Sequence, residues 1–104
     1  MRLAGTNITI PKPKYRSEIG IIVDMLDVIA SSGRQGINVS AISRIANVSY
    51  NAINQKCQKL VAAGFIELQK TRKKSIYFIT PPGIEFFERL RKFTDTMKAM
   101  NIRY

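Results

Sequence analysis

Apolar positions recur along the chain at two periods, and the changes of period divide it into elements. Over 17–32, Ile19, Ile22, Leu26 and Ile29 follow one another at spacings of three and four, with Val23 and Met25 widening the stripe. That period predicts a helix. Ser17 stands before it as an N-cap, and Glu18 lies in the first turn, where a negative charge meets the positive end of the helix dipole. Gly33 and Gly36 break the pattern. Residues 37–39 predict a short strand, after which Ser40 caps a second helix over 41–46, with Ile42 and either Ile45 or Ala46 inward. Asn47, Val48 and Ser49 form a turn: Asn tolerates the left-handed conformation, Val48 is a buried plug, and Ser49 caps the next helix.

The third helix is predicted over 50–63. Ile53, Cys57, Leu60 and Val61 lie on its inward face, and Gly64 stops it at the position just past the helix end. Residues 65–69 and 75–79 alternate as strands around the turn Thr71–Lys74, which predicts a β-hairpin. Thr80, Pro81 and Pro82 open a last helix over about 82–101, since proline is accepted in a first turn. In it Phe86, Leu90, Phe93, Met97, Met100 and Tyr104 alternate at spacings of four and three, a heptad seam. Ile84 and Phe87 lie beside the seam and are expected to pack on the domain.

Helix, helix–turn–helix, hairpin and helix is a mainly helical α+β order, that of a winged helix-turn-helix. The expected organisation is a basic flexible arm over 1–16, a DNA-binding domain over 17–80 and a dimerisation helix over 81–104. The seam is too long for a small domain to cover alone. Its remainder, from Phe86 to Tyr104, is expected to meet a second copy of the chain, in parallel or antiparallel fashion.

Composition sharpens this picture. A chain of 104 residues makes one domain. Its 17 Lys and Arg against 7 Asp and Glu leave a net charge of +10, which points to a polyanionic partner. There is no His, so imidazole acid–base chemistry and His-containing zinc sites are excluded. One cysteine, Cys57, supports neither a disulfide framework nor a zinc knuckle. No apolar run approaches membrane-spanning length. No metal, cofactor, small-molecule ligand or membrane is called for, and a reducing, cytoplasmic, nucleoid-associated location is expected.

The candidate chemistry lies on the third helix and the hairpin. With Ile53, Cys57 and Leu60 inward, the outer face carries Tyr50, Asn51, Asn54, Gln55 and Gln58: four amides, a phenol and no carboxylate. Asn and Gln make paired hydrogen bonds to adenine in the major groove. Lys56 and Lys59 flank that face and are expected to reach phosphates. Between Asp27 and Glu67 the chain has Arg34, Arg44, Lys56 and Lys59 and no acid. At the hairpin tip Lys70, Arg72, Lys73 and Lys74 supply backbone affinity rather than base selection. Cys57 occupies a core position and reads as a small hydrophobe.

The steps Asn47-Val48-Ser49-Tyr50, Gly64-Phe65-Ile66 and Thr80-Pro81-Pro82-Gly83 resemble those of archaeal winged-helix DNA-binding proteins, a family of small basic chromatin-type proteins and related transcription regulators. The resemblance runs from residue 15 to about residue 95. It implies a dimer joined by terminal helices. Ser49, Tyr50 and Asn51 then open the recognition helix, and Lys70 to Lys74 form the wing. Pro81 and Pro82 replace the charged pair usual before Gly83, and residues 1–16 have no counterpart. The expected function is a dimeric, sequence-reading binder of double-stranded DNA, a transcription regulator and not an enzyme. The alternatives are a non-specific architectural chromatin protein and a winged-helix module that docks another protein.

Overall fold

A computed structural model describes residues 17–102. The arm expected over 1–16, and Tyr104 at the end of the seam, lie outside the described residues. The elements are α1 (Glu18–Ser31), one 3-10 turn (Gly33–Gln35), α2 (Val39–Ala46), α3 (Tyr50–Ala62), β1 (Ile66–Lys70), β2 (Ser75–Ile79) and α4 (Pro81–Ala99). This is the mainly helical α+β order of a winged helix-turn-helix, with the β1–β2 hairpin as the wing.

Ser17 caps α1, its hydroxyl accepting from the Gly20 amide at 3.0 Å. Met25, Leu26 and Ile29 are fully buried. At 3.6 residues per turn, a stripe centred on Met25 and Ile29 turns Ile19 to its edge. Ile19, expected to be inward, is exposed for that reason.

The second helix starts earlier than expected. Asn38, not Ser40, is its cap, the side-chain oxygen accepting from the Ala41 amide at 2.8 Å. Asn caps as well as Ser does, and the shift puts Val39 into the core. The strand expected over 37–39 is reduced to one bridge. Ile37 and Tyr77 exchange amide-to-carbonyl bonds of 3.0 and 2.8 Å, which ties residue 37 to one strand of the wing by a single bridge. Of the two candidates for the inward position on α2, Ala46 is buried and Ile45 is exposed.

Asn47 holds the left-handed conformation (φ 58°, ψ 50°). The Val48 amide donates to the Ser43 carbonyl at 3.1 Å, and the Ser43 hydroxyl donates to the Val48 carbonyl. These two bonds close the turn between the paired helices and leave Val48 half-buried against the core.

α3 buries Ile53, Cys57 and Leu60. Val61, expected inward, lies at the margin of that face and is exposed. The helix ends in a Schellman motif, with Gly64 donating to Val61 and Phe65 to Leu60, both at 3.0 Å. Gly64 takes φ 83°, where a side chain is disfavoured. Phe65 thus belongs to the helix stop, and β1 begins at Ile66 rather than Phe65. β1 and β2 pair antiparallel, with Ile66 opposite Ile79 and Leu68 opposite Tyr77.

Thr80 joins the end of α3 to the start of α4. Its Oγ1 accepts from the Gly83 amide at 3.0 Å and donates to the Gly64 carbonyl at 2.6 Å. Gly83 passes so close to Phe65 that a Cβ would collide with the Phe65 carbonyl oxygen. α4 packs against α1 and buries Gly83, Phe87 and Thr94. Ile84, expected to pack on the domain, is instead exposed. Each fully buried large aliphatic side chain contributes about 1.5–3 kcal/mol. The exposed Glu85–Arg89 pair at 3.8 Å adds only about 0.3–0.5 kcal/mol. Burial therefore outweighs surface charge in holding the fold.

Candidate nucleic-acid interface

The surface of α3 follows from its buried face. With Ile53, Cys57 and Leu60 pinned inward, Asn51, Gln55 and Gln58 point outward and are exposed, and Tyr50 is 53% exposed at the first turn. Asn54 is half-buried on the flank of that face, so three amides, not four, stand fully in solvent. Ser49 is exposed and spends its hydroxyl oxygen on the cap, accepting from the Ala52 amide at 3.3 Å.

The opposite flank of α3 faces α1. There Glu18 lies 3.9 Å from the Lys56 ammonium and 3.7 Å from that of Lys59. The Lys56 side chain is only 16% exposed, whereas that of Lys59 is 72% exposed. Both lysines, expected to reach phosphates, thus stand beside one carboxylate. No local pattern in the chain reveals this contact, because it joins the first residue of α1 to residues of α3 about forty positions away.

β1 packs on α3 and so sets the wing beside it. Lys70, Arg72, Lys73 and Lys74 are all exposed at its tip. Thr71 shapes that tip: its amide donates to the Lys74 carbonyl at 2.8 Å, and its Oγ1 accepts from the Lys74 amide at 3.1 Å. The four cations are consequently carried on a closed turn. Arg44 is exposed on the last turn of α2.

Below the surface, Tyr77 of β2 is buried. Burial raises its phenol above the ordinary value, with smaller contributions from the neighbouring Cys57 and Tyr50. Burial alone pushes the Cys57 thiol up to about 12, which leaves it protonated and unreactive at neutral pH. Among the described residues no group of three or more His, Cys, Asp or Glu could hold a metal ion. No helix among them is long and apolar enough to cross a membrane.

The seam of α4 is divided between two environments. Phe86 stacks on Phe65 within the subunit, with ring centroids 4.2 Å apart and planes 7° from parallel. Leu90 and Met97 are half-buried. Phe93 and Met100 are 46% and 61% exposed. Phe86 therefore has an internal partner, while Phe93 and Met100 stand largely in solvent.

The family model for winged helix-turn-helix proteins matches residues 15–98, and the chain belongs to that family. Among solved structures, the DNA-binding protein Sso10a-2 from Sulfolobus solfataricus superposes with a TM-score of 0.72 at 17% identity, covering 83% of this chain and 86% of that one. The transcriptional regulator BldR from the same organism gives 0.66 at 19% identity, over 78% of this chain and 59% of that one. MepR, a transcription regulator of the Staphylococcus aureus multidrug efflux pump MepA, gives 0.64 at 14% identity, over 77% and 60%. The chain thus spans most of Sso10a-2 but about three-fifths of the two regulators. At these identities the likeness is one of fold. No curated protein matches the chain.

Proposed function

We propose that this protein is a dimeric, sequence-reading binder of double-stranded DNA that regulates transcription. The observation that carries the reading is the outward face of α3, where Asn51, Gln55 and Gln58 stand exposed without a carboxylate, beside a wing bearing Lys70, Arg72, Lys73 and Lys74. In this reading α3 enters the major groove by its N-terminal half, and Asn51 and Gln55 bond base edges, with Gln58 and Asn54 toward the rim. Ser49, Tyr50, Arg44 and the wing cations contact phosphates and set register. The part of the chain over 17–80 is then the DNA-binding domain, and 81–104 the dimerisation helix. A second copy covers Phe93 and Met100 and fixes the spacing of two half-sites. Sso10a-2, BldR and MepR are named as DNA-binding or regulatory proteins, which supports the reading. A nucleoid location goes with it, and it needs no cofactor.

Selection from a pool of random duplexes, at low and moderate salt, tests the proposal. A near-palindromic motif is expected. Replacing Asn51 and Gln55 with Ala is expected to relax that motif, at about 1–3 kcal/mol for each lost base contact, more than it lowers non-specific affinity. Equal loss on all sequences rejects base reading by this face. The net charge of +10 favours a second reading, an architectural protein that coats DNA. Steep salt dependence with no recovered motif selects that one. Absence of duplex binding at any salt rejects both and leaves a protein-docking module.

A further inference from the structure

The flank of α3 that faces α1 holds an arrangement that the DNA reading has not used. Glu18 is the first residue of α1, where the unpaired amides of the helix start favour a carboxylate. It lies within 4 Å of two ammonium groups of α3, Lys56 and Lys59. The chain has no acid between Asp27 and Glu67. The two lysines are not equivalent. Lys56 is tucked against the body with 16% of its side chain exposed. Lys59 is 72% exposed, one turn further along α3 than Gln55 and on the side of the helix next to it.

One carboxylate between two ammonium groups leaves a local charge of +1. An exposed ion pair such as that of Glu18 with Lys59 is weak, changing an equilibrium by no more than about fivefold. A DNA duplex, by contrast, presents a charge about every 1.7 Å and releases counterions when a lysine reaches it. The exchange of Glu18 for a backbone phosphate on Lys59 is therefore cheap. The tucked Lys56 can stay with Glu18 throughout and keep that carboxylate neutralised as the DNA approaches.

We propose that Lys59 is a phosphate-binding point that Glu18 occupies in the free protein, and that a phosphodiester of bound DNA displaces Glu18 from Lys59 while Lys56 retains it. Glu18 thereby lowers affinity for any duplex and is a determinant of binding that lies outside the recognition helix and the wing. This rests on the DNA reading of α3.

The test is a double-mutant cycle with Glu18→Gln and Lys59→Ala, read by fluorescence anisotropy on a labelled duplex of random sequence across a salt series. Glu18→Gln is expected to tighten binding about two- to fivefold at low salt, the range set by an exposed pair. Lys59→Ala is expected to weaken binding and to make the plot of log affinity against log salt shallower by about one phosphate contact. In the Lys59→Ala background the gain from Glu18→Gln is expected to vanish. Glu18→Asp keeps the first-turn charge and shortens the reach, so it separates the ion pair from any loss of helix stability, and part of the gain is expected there too. If the wild-type protein binds and Glu18→Gln changes nothing, the proposal is overturned and the DNA reading stands. If the gain is as large with Lys59 absent, simple removal of negative charge explains it and the proposal is again overturned. If the wild-type protein binds no duplex, the DNA reading itself fails.

Discussion

α3 and α4 are both amphipathic helices with an apolar stripe, yet the domain treats them differently. α3 sets Ile53, Cys57 and Leu60 fully or almost fully out of solvent and keeps its outer face polar. α4 is longer, but it buries Gly83, Phe87 and Thr94, a small residue, an aromatic and a hydroxyl. Its larger apolar groups lie one step around the helix, and Phe93 stays half in solvent. The inward face of α3 is set by α2 and β1, which pack against it and complete the core. The inward face of α4 is set by a close approach, since Gly83 must lie on the Phe65 carbonyl. The stripe of a helix therefore does not by itself say which side the body covers.

The contrast can be broken most directly at its two centres. Ile53→Ala is expected to cost about 2–5 kcal/mol, measured by urea denaturation, because its cavity opens inside the core. Phe93→Ala is expected to change the stability of a single subunit by no more than about 0.5 kcal/mol. Phe93→Asp is expected to leave the circular dichroism spectrum intact and, on the proposed dimer, to give monomer by light scattering. Should Phe93→Asp unfold the chain as a core variant does, the two helices are not different in kind.

Next in size is the close approach. Gly83→Ala is expected to cost about 1–3 kcal/mol, since its methyl meets a backbone oxygen that cannot turn aside. Gly64→Ala meets nothing within 4 Å and is strained only through its positive φ, so a smaller loss, about 1 kcal/mol, is expected there. Equal losses at the two glycines would show that docking of α4 does not depend on the contact.

Thr80 and Ser49 compare the caps of the same two helices. Thr80→Val removes a cap and the bond to the Gly64 carbonyl together, and about 1–2 kcal/mol is expected. Ser49→Ala removes a longer bond and is expected to cost about 0.5–1 kcal/mol.

The remaining effect is silent at neutral pH and appears only in alkali. The Cys57 thiol ionises near 9.0 when exposed and only near 12 in the fold. Between those values the unfolded chain binds fewer protons than the folded one, so stability falls as pH rises. The melting temperature is expected to be insensitive to Cys57 below pH 9 and to decline above it. Cys57→Ala is expected to flatten the first part of that decline, leaving the part that comes from the raised Tyr77 phenol.

Periodicity and local stop signals made most of the fold legible. The stripe of α1, the Asn47 turn, the Gly64 stop, the hairpin and the proline start of α4 all depend on bonds between residues a few positions apart, and such bonds are written in neighbouring residue types. The candidate site was legible to the same extent. Once Ile53, Cys57 and Leu60 are inward, the exposure of Asn51, Gln55 and Gln58 follows from helix geometry alone, as does a basic wing tip from Lys70 to Lys74. Only the tertiary structure decided which edge residues are covered. Ile19, Ile45, Val61 and Ile84 are apolar and exposed, because each lies at the margin of a stripe whose centre is chosen by the neighbouring element. Tertiary structure likewise turned the strand at 37–39 into a single bridge from Ile37 to Tyr77, stacked Phe86 on Phe65, and brought Glu18 to Lys56 and Lys59. Those contacts join residues far apart in the chain. No local pattern encodes them, because they exist only once separate elements pack together.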